Sequence, residues 1–358
     1  MPGLSEHPVD GRRARVAVVT PLEAEFVAVL ENVDDRLEIL HDADLLPPAR
    51  YPGDHRGVAG FRRSAAEKRR WRQLLGQADV LFGIPDESPA ELAQVIRTNP
   101  CLRWVQATAA GAGEQIAAAG LTAAELRRVT FTSASGVHAG PLAEFSLFGL
   151  LAFARGLPRL LADQRSRAWE HRPVDELRGR LLLILGLGAI GAETARLAHA
   201  FGMRVTGVTR SGRSGSPDVE KTIGIGELDA ILPSADAVVA TLPLTAETHG
   251  LIGAQAISRM KRGVVVVNVG RGAVIDEPAL TSALRAGHIG GAALDVFATE
   301  PLPADSELWT LPNVIISPHT AALSIRENER IIALFTDNLR RWLRGQKLRS
   351  QVDTTAWY

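Results

Sequence analysis

Residues 181–191 read LLLILGLGAIG, and this stretch decides the fold. An apolar run leads straight into Gly186, Gly188 and Gly191, while Ile190, Leu197 and Phe201 fall on one face of a helix. Strand, G-x-G-x-x-G turn and helix form the setting in which N–H groups at a helix start bind a pyrophosphate. The first glycine permits the tight turn, the second lets backbone approach the phosphates, and the third lets the helix sit close on the strand. Ala189 and Ile190 then belong to the phosphate-facing start of the helix.

The strand after this helix, residues 204–208, carries the group that selects the dinucleotide, about 20 residues beyond the turn. An Asp or Glu there would grip the 2′-hydroxyl of NAD. This chain instead has Thr209, Arg210 and Ser211, with Arg213 beyond. Arginine and hydroxyls hold a 2′-phosphate through charge-assisted hydrogen bonds, so NADP(H) is the favoured cofactor and NAD(H) the alternative.

Working outward, a helix up to Arg155 and β-rich runs at 237–241, 264–269, 291–294 and 314–316 extend this unit into a parallel sheet. The first third of the chain alternates in the same way, with runs at 15–20, 36–40, 80–84, 103–107 and 129–132 separated by helical patterns. That implies a second parallel sheet covered on both faces. Residues 45–72 break the rhythm with Pro47, Pro48, Pro52, Gly53, Gly57 and Gly60. They read as a long surface loop leading into a polar helix, with Arg50, Arg56, Arg62 and Arg63 on a solvated face. Near the end, Ser324 and Glu327 have capping-box spacing, Ile331, Phe335, Leu339 and Trp342 recur at helical spacing, and Gly345 stands where that helix should stop.

Three further segments hold polar residues: NVGRGAVIDE at 268–277, LDVFATEP at 294–301 and SPHTAA at 317–322. Together with the glycine turn and DAVVATLPLTAETHGLIG at 236–253, they resemble the D-isomer-specific 2-hydroxyacid dehydrogenase family, from about Trp104 to the C-terminus. The resemblance implies an α/β protein of two doubly wound parallel-sheet domains. A Rossmann cofactor domain, 135–322, is inserted into a flavodoxin-like substrate domain, 1–134 and 323–358, with the active site in the cleft and hinges near 135–140 and 321–324. It also implies a homodimer through the cofactor domains, for which the apolar helix at 142–153 is a candidate.

In that family the active-site arginine, glutamate and histidine correspond to Arg271, Glu300 and His319. Reducing a 2-oxo acid requires a hydride at the carbonyl carbon and a proton at its oxygen. His319 is the expected proton donor, and the base in the reverse direction. Glu300 orients it and favours its charged form, while the Arg271 fork binds the substrate carboxylate and polarises the carbonyl. The resemblance further puts Asp295 at the nicotinamide carboxamide, Thr241, Pro243 and Thr248 beside the cofactor, and Val269 and Gly270 at its nicotinamide end. Backbone N–H groups at Ala110 and Gly111, in the AAGAG loop at 109–113, correspond to a second hold on the substrate carboxylate. That loop departs from the family pattern, in which an acidic residue follows the first glycine more closely. The implied substrate is a small 2-oxo or D-2-hydroxy acid of the glyoxylate, hydroxypyruvate or 3-phosphoglycerate type. A non-enzymatic alternative is a dinucleotide-sensing protein like the C-terminal binding protein corepressors.

Composition narrows the remaining classes. The chain has 358 residues, enough for two domains. Its 40 basic and 40 acidic residues cancel, giving no global field for nucleic acid or an anionic membrane surface. Neither apolar stretch, Phe145 to Ala154 or Leu181 to Ile190, reaches the roughly 18–20 residues needed to cross a bilayer. Arg12, Arg13 and Arg15 precede no apolar segment of signal-peptide type, so a cytoplasmic location is expected. The lone Cys101 allows no internal disulfide and reads as a buried thiol. His249 is expected in a cofactor loop, His138 and His288 near domain junctions, and His7, His41, His55, His171 and His199 at the surface. No pair has metal-ligand spacing, so no metal is expected.

Overall fold

The computed structural model describes residues 12–213, 216–355 and 357; His7 lies outside them. The chain divides into two compact units, one drawn from Met1–His138 and Leu323–Tyr358, the other from Ala139–Ala322. Both are α/β with all-parallel sheets.

The first unit is built on β1 (Ala14–Val18), β2 (Leu37–Leu40), β3 (Val80–Phe82), β4 (Trp104–Gln106) and β5 (Thr130–Thr132), in the order β2-β1-β3-β4-β5. Its helices are α1 (Ala24–Glu31), α2 (Ala65–Gln77), α3 (Pro89–Thr98), α4 (Ala112–Ala118) and α5 (Ala123–Arg128). Chain connections leave β1 towards one edge and β3 towards the other, so the topological switch lies between these two strands. Capping boxes start α2, through Ser64 and Glu67, and α5, through Thr122 and Glu125.

The second unit contains α6 (Ala139–Ala154), α7 (Leu157–Ser166), β6 (Leu181–Leu185), α8 (Ala189–Ala200), β7 (Arg204–Thr209), β8 (Lys221–Gly224), α9 (Leu228–Ile231), β9 (Ala237–Ala240), α10 (Ala254–Arg259), β10 (Val264–Asn268), α11 (Glu277–Arg285), β11 (Ile289–Leu294) and β12 (Val314–Ile316). Strand order is β12-β11-β10-β9-β6-β7-β8, which puts its switch between β6 and β9. The central strands are near-continuous apolar runs because helices cover both faces. Among the described residues no single helix is long and apolar enough to cross a membrane.

The chain returns to the first unit as α12 (Glu327–Leu343). Its Phe335 ring sits 4.8 Å from Phe82 and 5.1 Å from Trp104, while Ile331 and Leu339 are fully buried. Gly345, at φ +63°, ends the helix, with hydrogen bonds from Gly345 N to Trp342 O and from Gln346 N to Arg341 O forming a Schellman motif.

Several local expectations need correction. The Ser324–Glu327 capping box does not form: the helix starts at Glu327 without a side-chain cap, and Glu327 Oε1 instead pairs with His138 Nε2 at 3.0 Å. Cys101 is exposed, because the buried place in its turn is taken by Asn99, whose amide donates to Leu75 O and Ala78 O. His55 is no surface residue, since both ring nitrogens are buried, and burial pushes its pKa below the ordinary histidine value. His41 is half-buried. His288 lies within the second unit, its Nε2 bonded to Ile257 O. Arg63 leaves the expected solvated face: it stacks 4.1 Å from the Trp71 ring, pairs with Asp86 and donates to Leu45 O. Two elements lack any sequence signature: β8, in which only Ile223 is buried, and α7, which has no buried residue.

Candidate active site

The predicted glycine turn stands where β6 meets α8. Gly186 adopts φ +97°, and a Cβ on Gly191 would lie 1.9 Å from Gly186 O, so only glycine lets the helix close on the turn. Gly188 is the N-cap of α8 and offers no side-chain cap; Gly188 and Ala189 are exposed and Ile190 is partly so. The first N–H groups of a helix lack intrahelical acceptors and carry the positive end of its dipole. An uncapped, exposed helix start with no Cβ in the way suits a dinucleotide pyrophosphate.

Around this turn the expected cofactor residues fall into two groups. Thr209, at the end of β7, is partly buried, with Arg210 and Ser211 exposed beyond it. The Thr209 hydroxyl accepts from Arg213 N at 3.2 Å and closes that loop. Across the switch, Thr241 Oγ1 donates to Gly186 O at 2.9 Å, bracing the glycine turn from the β9 side. Pro243 is exposed, whereas Thr248 is buried, its hydroxyl donating to Pro243 O at 2.7 Å. Thr248 thus holds the shape of the loop. Val269 and Gly270 are buried directly after β10.

Arg271, Glu300 and His319 all lie in loops at the carboxyl ends of β10, β11 and β12. Arg271 is partly exposed; its Nη1 donates to Gly270 O at 2.9 Å, and among the described residues it has no acidic partner. Glu300 Oε2 sits 2.7 Å from His319 Nδ1, while its Oε1 accepts Phe297 N–H at 3.0 Å. One carboxylate therefore fixes both the imidazole and its own loop. That leaves His319 Nε2 as the ring atom able to exchange a proton with a ligand. His319 has φ +57°, an uncommon conformation for a side-chain-bearing residue, of the kind that persists where the surroundings over-determine it.

Those surroundings involve residues whose structural roles the sequence did not disclose. Asp295, fully buried, accepts at Oδ1 from Ser317 Oγ (2.6 Å), Thr320 N (2.9 Å) and Ala321 N (2.9 Å), and its carbonyl accepts His319 N at 2.9 Å. It braces the histidine loop from both sides of His319. Asn268 clasps the arginine loop, Oδ1 accepting Gly270 N at 3.1 Å and Nδ2 donating to Arg271 O at 3.0 Å. A Cβ on Gly272 would fall 2.0 Å from Phe297 backbone, so this glycine lets the arginine and glutamate loops touch; Glu277 ties them again through Ala298 N at 2.9 Å. A lone asparagine ending the apolar run VVVVN was the signal for the clasp, since buried polar groups need partners.

In the first unit, Ala110 and Gly111 are exposed between β4 and α4, with Gly111 at the N-cap.

An open helix start for phosphates, in the same sheet as an imidazole held by a carboxylate, is what a nicotinamide-dependent oxidoreductase requires. Known proteins narrow that class. The family profile described as D-isomer specific 2-hydroxyacid dehydrogenase, NAD binding domain, matches residues 147–321. A glyoxylate reductase from Korarchaeum cryptofilum is 36% identical over 262 residues, covering 71% of this chain and 77% of that protein. A D-isomer specific 2-hydroxyacid dehydrogenase family protein from Aeromonas salmonicida superimposes with a TM-score of 0.75 at 31% identity, over 96% of this chain and 99% of that one. An NADPH-dependent glyoxylate/hydroxypyruvate reductase from Sinorhizobium meliloti, in complex with NADP and sulfate, gives a TM-score of 0.75 at 26% identity, over 97% and 100%. The chain belongs to the D-isomer-specific 2-hydroxyacid dehydrogenase family. It is an oxidoreductase, a D-2-hydroxyacid dehydrogenase dependent on a nicotinamide dinucleotide.

Proposed function

We propose that the enzyme reduces a small 2-oxo acid to the D-2-hydroxy acid with His319 as general acid. The observation that carries this is the 2.7 Å contact between Glu300 Oε2 and His319 Nδ1, which presents Nε2 as the proton-carrying atom. Arg271 binds the carboxylate of the acid and polarises its 2-oxo group with the same fork of donors. When bound, reduced nicotinamide supplies the hydride to the carbonyl carbon. As that carbon gains the hydride, its oxygen takes the proton from His319 Nε2, while Glu300 holds the ring by its Nδ1. In the reverse direction His319 accepts the hydroxyl proton.

NADP(H) is the preferred cofactor, because no acidic residue stands at Thr209, Arg210 or Ser211 to grip a free 2′-hydroxyl and repel a 2′-phosphate. Asp295, with Oδ1 committed to the histidine loop, meets the carboxamide through its other oxygen. Residues 135–322 act as the cofactor domain and 1–134 with 323–358 as the substrate domain, in which the backbone at Ala110 and Gly111 assists in carboxylate binding.

Two copies assemble through the second unit, where Phe148 of α6, Leu160 of α7 and Trp169 are 46%, 54% and 90% exposed. On α6 the Phe148 ring lies 6.2 Å from that of Phe145, and contiguous apolar faces mark interaction surfaces. A free thiol at Cys101 suits a reducing, cytoplasmic setting.

A spectrophotometric screen of 2-oxo acids with NADPH and NADH tests this reading. Oxidation of NADPH by at least one acid, with a higher kcat/KM than with NADH, is expected. No oxidation of either cofactor overturns the reaction, and an equal or better kcat/KM with NADH overturns the cofactor preference.

A further inference from the structure

Asn268 ends the apolar strand β10 and is fully buried. Its backbone belongs to the sheet, while its side chain serves the loop that carries Arg271. In the sheet it lies between Ala240 of β9 and Leu294 of β11. The Asn268 carbonyl accepts Asp295 N at 3.0 Å, and the Asp295 carbonyl accepts His319 N at 2.9 Å. Two successive backbone bonds therefore tie the Asn268 peptide to that of His319, and Asp295 Oδ1 holds Thr320 N and Ala321 N beyond it.

The far end of this series is the Asn268 amide. Its Oδ1 accepts Gly270 N at 3.1 Å and its Nδ2 donates to Arg271 O at 3.0 Å. Gly270 is also the residue whose carbonyl accepts Arg271 Nη1 at 2.9 Å. The amide thus holds the Arg271 backbone directly and the guanidinium through Gly270. The loop has little other freedom, since Arg271 O also accepts Val274 N at 3.2 Å and a Cβ on Gly270 would lie 2.6 Å from Leu242 O.

An amide presents an acceptor and a donor side by side, which is what this loop asks of residue 268. Aspartate would set a carboxylate oxygen against Arg271 O, and leucine would leave the buried Gly270 N–H without an acceptor. The partners also decide which end of the amide is which, because only one orientation puts oxygen at an N–H and nitrogen at a carbonyl.

We propose that Asn268 is a positioning residue of the reaction, setting the Arg271 guanidinium in register with His319 so that one 2-oxo acid meets both. The proposal rests on the reading of Arg271 as the group that binds the carboxylate of the acid and polarises its 2-oxo group. Asn268 acts only through Arg271. A misplacement of about 1 Å at a reacting group costs on the order of 10²-fold in rate.

A double-mutant cycle tests this dependence. Wild type, Asn268→Ala, Arg271→Ala and the double variant are compared by kcat and KM for a 2-oxo acid that the wild type turns over, with NADPH affinity and thermal melting measured on the same samples. Asn268→Ala should lower kcat/KM by about 10²-fold, through kcat and KM together because Arg271 serves both polarisation and binding, while NADPH affinity changes by less than about threefold. The double variant should match Arg271→Ala within about twofold, since nothing is left to position once the arginine is gone. A residue that only stabilised the fold would multiply the two losses. If Asn268→Ala does not fold, Asn268→Asp, which keeps the acceptor for Gly270 N and loses the donor to Arg271 O, goes through the same cycle.

An Asn268→Ala loss below about threefold, or losses that multiply in the double variant, overturns the inference and leaves the proposed reaction standing. A loss below about tenfold in Arg271→Ala overturns the reading of Arg271, and this inference with it. If no acid is turned over, binding of oxamate, an unreactive analogue of a 2-oxo acid, to the NADPH-loaded proteins decides. Affinity about tenfold weaker in Asn268→Ala than in the wild type supports the positioning role; equal affinity, or no binding to the wild type, overturns it.

Discussion

The two sheets gather their polar residues in the same place, the carboxyl ends of strands beside a topological switch, yet they do so by different means. In the second unit the site is made largely of backbone: glycines that let chain segments approach, an uncapped helix start, and loops clasped by Asn268 and Asp295. In the first the polar groups are long cationic side chains on a proline- and glycine-rich loop held by Asp54, which accepts N–H bonds from Arg50, Arg56 and Gly57. Backbone sites impose fixed residue spacing, because an added Cβ has nowhere to go; side-chain sites do not, because an arginine reaches its target from many positions. Spacing is therefore fixed in the second unit's glycine turn and left open in the first unit's arginine loop.

Substitutions sharpen this contrast. The largest effect is expected from Arg271→Ala, on the order of a 10³-fold loss in kcat/KM, by analogy with the removal of a preorganised donor at a reacting carbonyl. Steady-state kinetics would read it. A loss below about tenfold would detach Arg271 from the reacting centre.

Next is Gly191→Ala, whose methyl overlaps Gly186 O at 1.9 Å. Cofactor affinity, measured by fluorescence titration, should weaken by roughly tenfold or more as helix and turn part. Unaltered affinity would mean that the backbone reading of this site is wrong.

For the first unit, Asp54→Ala should cost about 1–3 kcal/mol by leaving the buried Gly57 N–H without its acceptor. The pH dependence has a definite sign. Hydrogen bonds from the Arg50 guanidinium, then from backbone donors, hold the Asp54 carboxyl well below the usual aspartate range. Its stabilising contribution is complete above the unfolded value of about 3.9 and is lost as pH falls towards the folded one. Melting curves of wild type and variant should thus differ by a constant amount from about pH 5 to 8 and converge in stronger acid. Convergence at higher pH instead would contradict the assignment.

The smallest effect is expected from Ser64→Ala, which removes the α2 capping box and costs about 1 kcal/mol in denaturant unfolding. Kinetic constants should stay unchanged.

Legibility in the sequence obeys the same division. LLLILGLGAIG disclosed strand, turn and helix because its glycines are sterically required, and the apolar runs of both sheets were readable because parallel strands are buried on both faces. The strand β8 was missed because an edge strand with one buried residue has no apolar signature. The Ser324–Glu327 spacing misled because a tertiary partner, His138, claimed the Glu327 carboxylate that the local motif needed. Arg63 looked like part of a solvated charge run, since nothing local reveals Trp71 beneath it or Asp86 beside it. The role of Asp295 as a brace stayed hidden because its partners at 317–321 lie in another loop.

The central claim is that His319, held by Glu300, passes the proton that accompanies hydride transfer. The direct test measures kcat for 2-oxo acid reduction by His319→Ala, together with cofactor affinity on the same sample. A fall of roughly 10²–10⁴-fold in kcat, with cofactor affinity close to that of the wild type, is the predicted result. A kcat within about twofold of the wild type would contradict it.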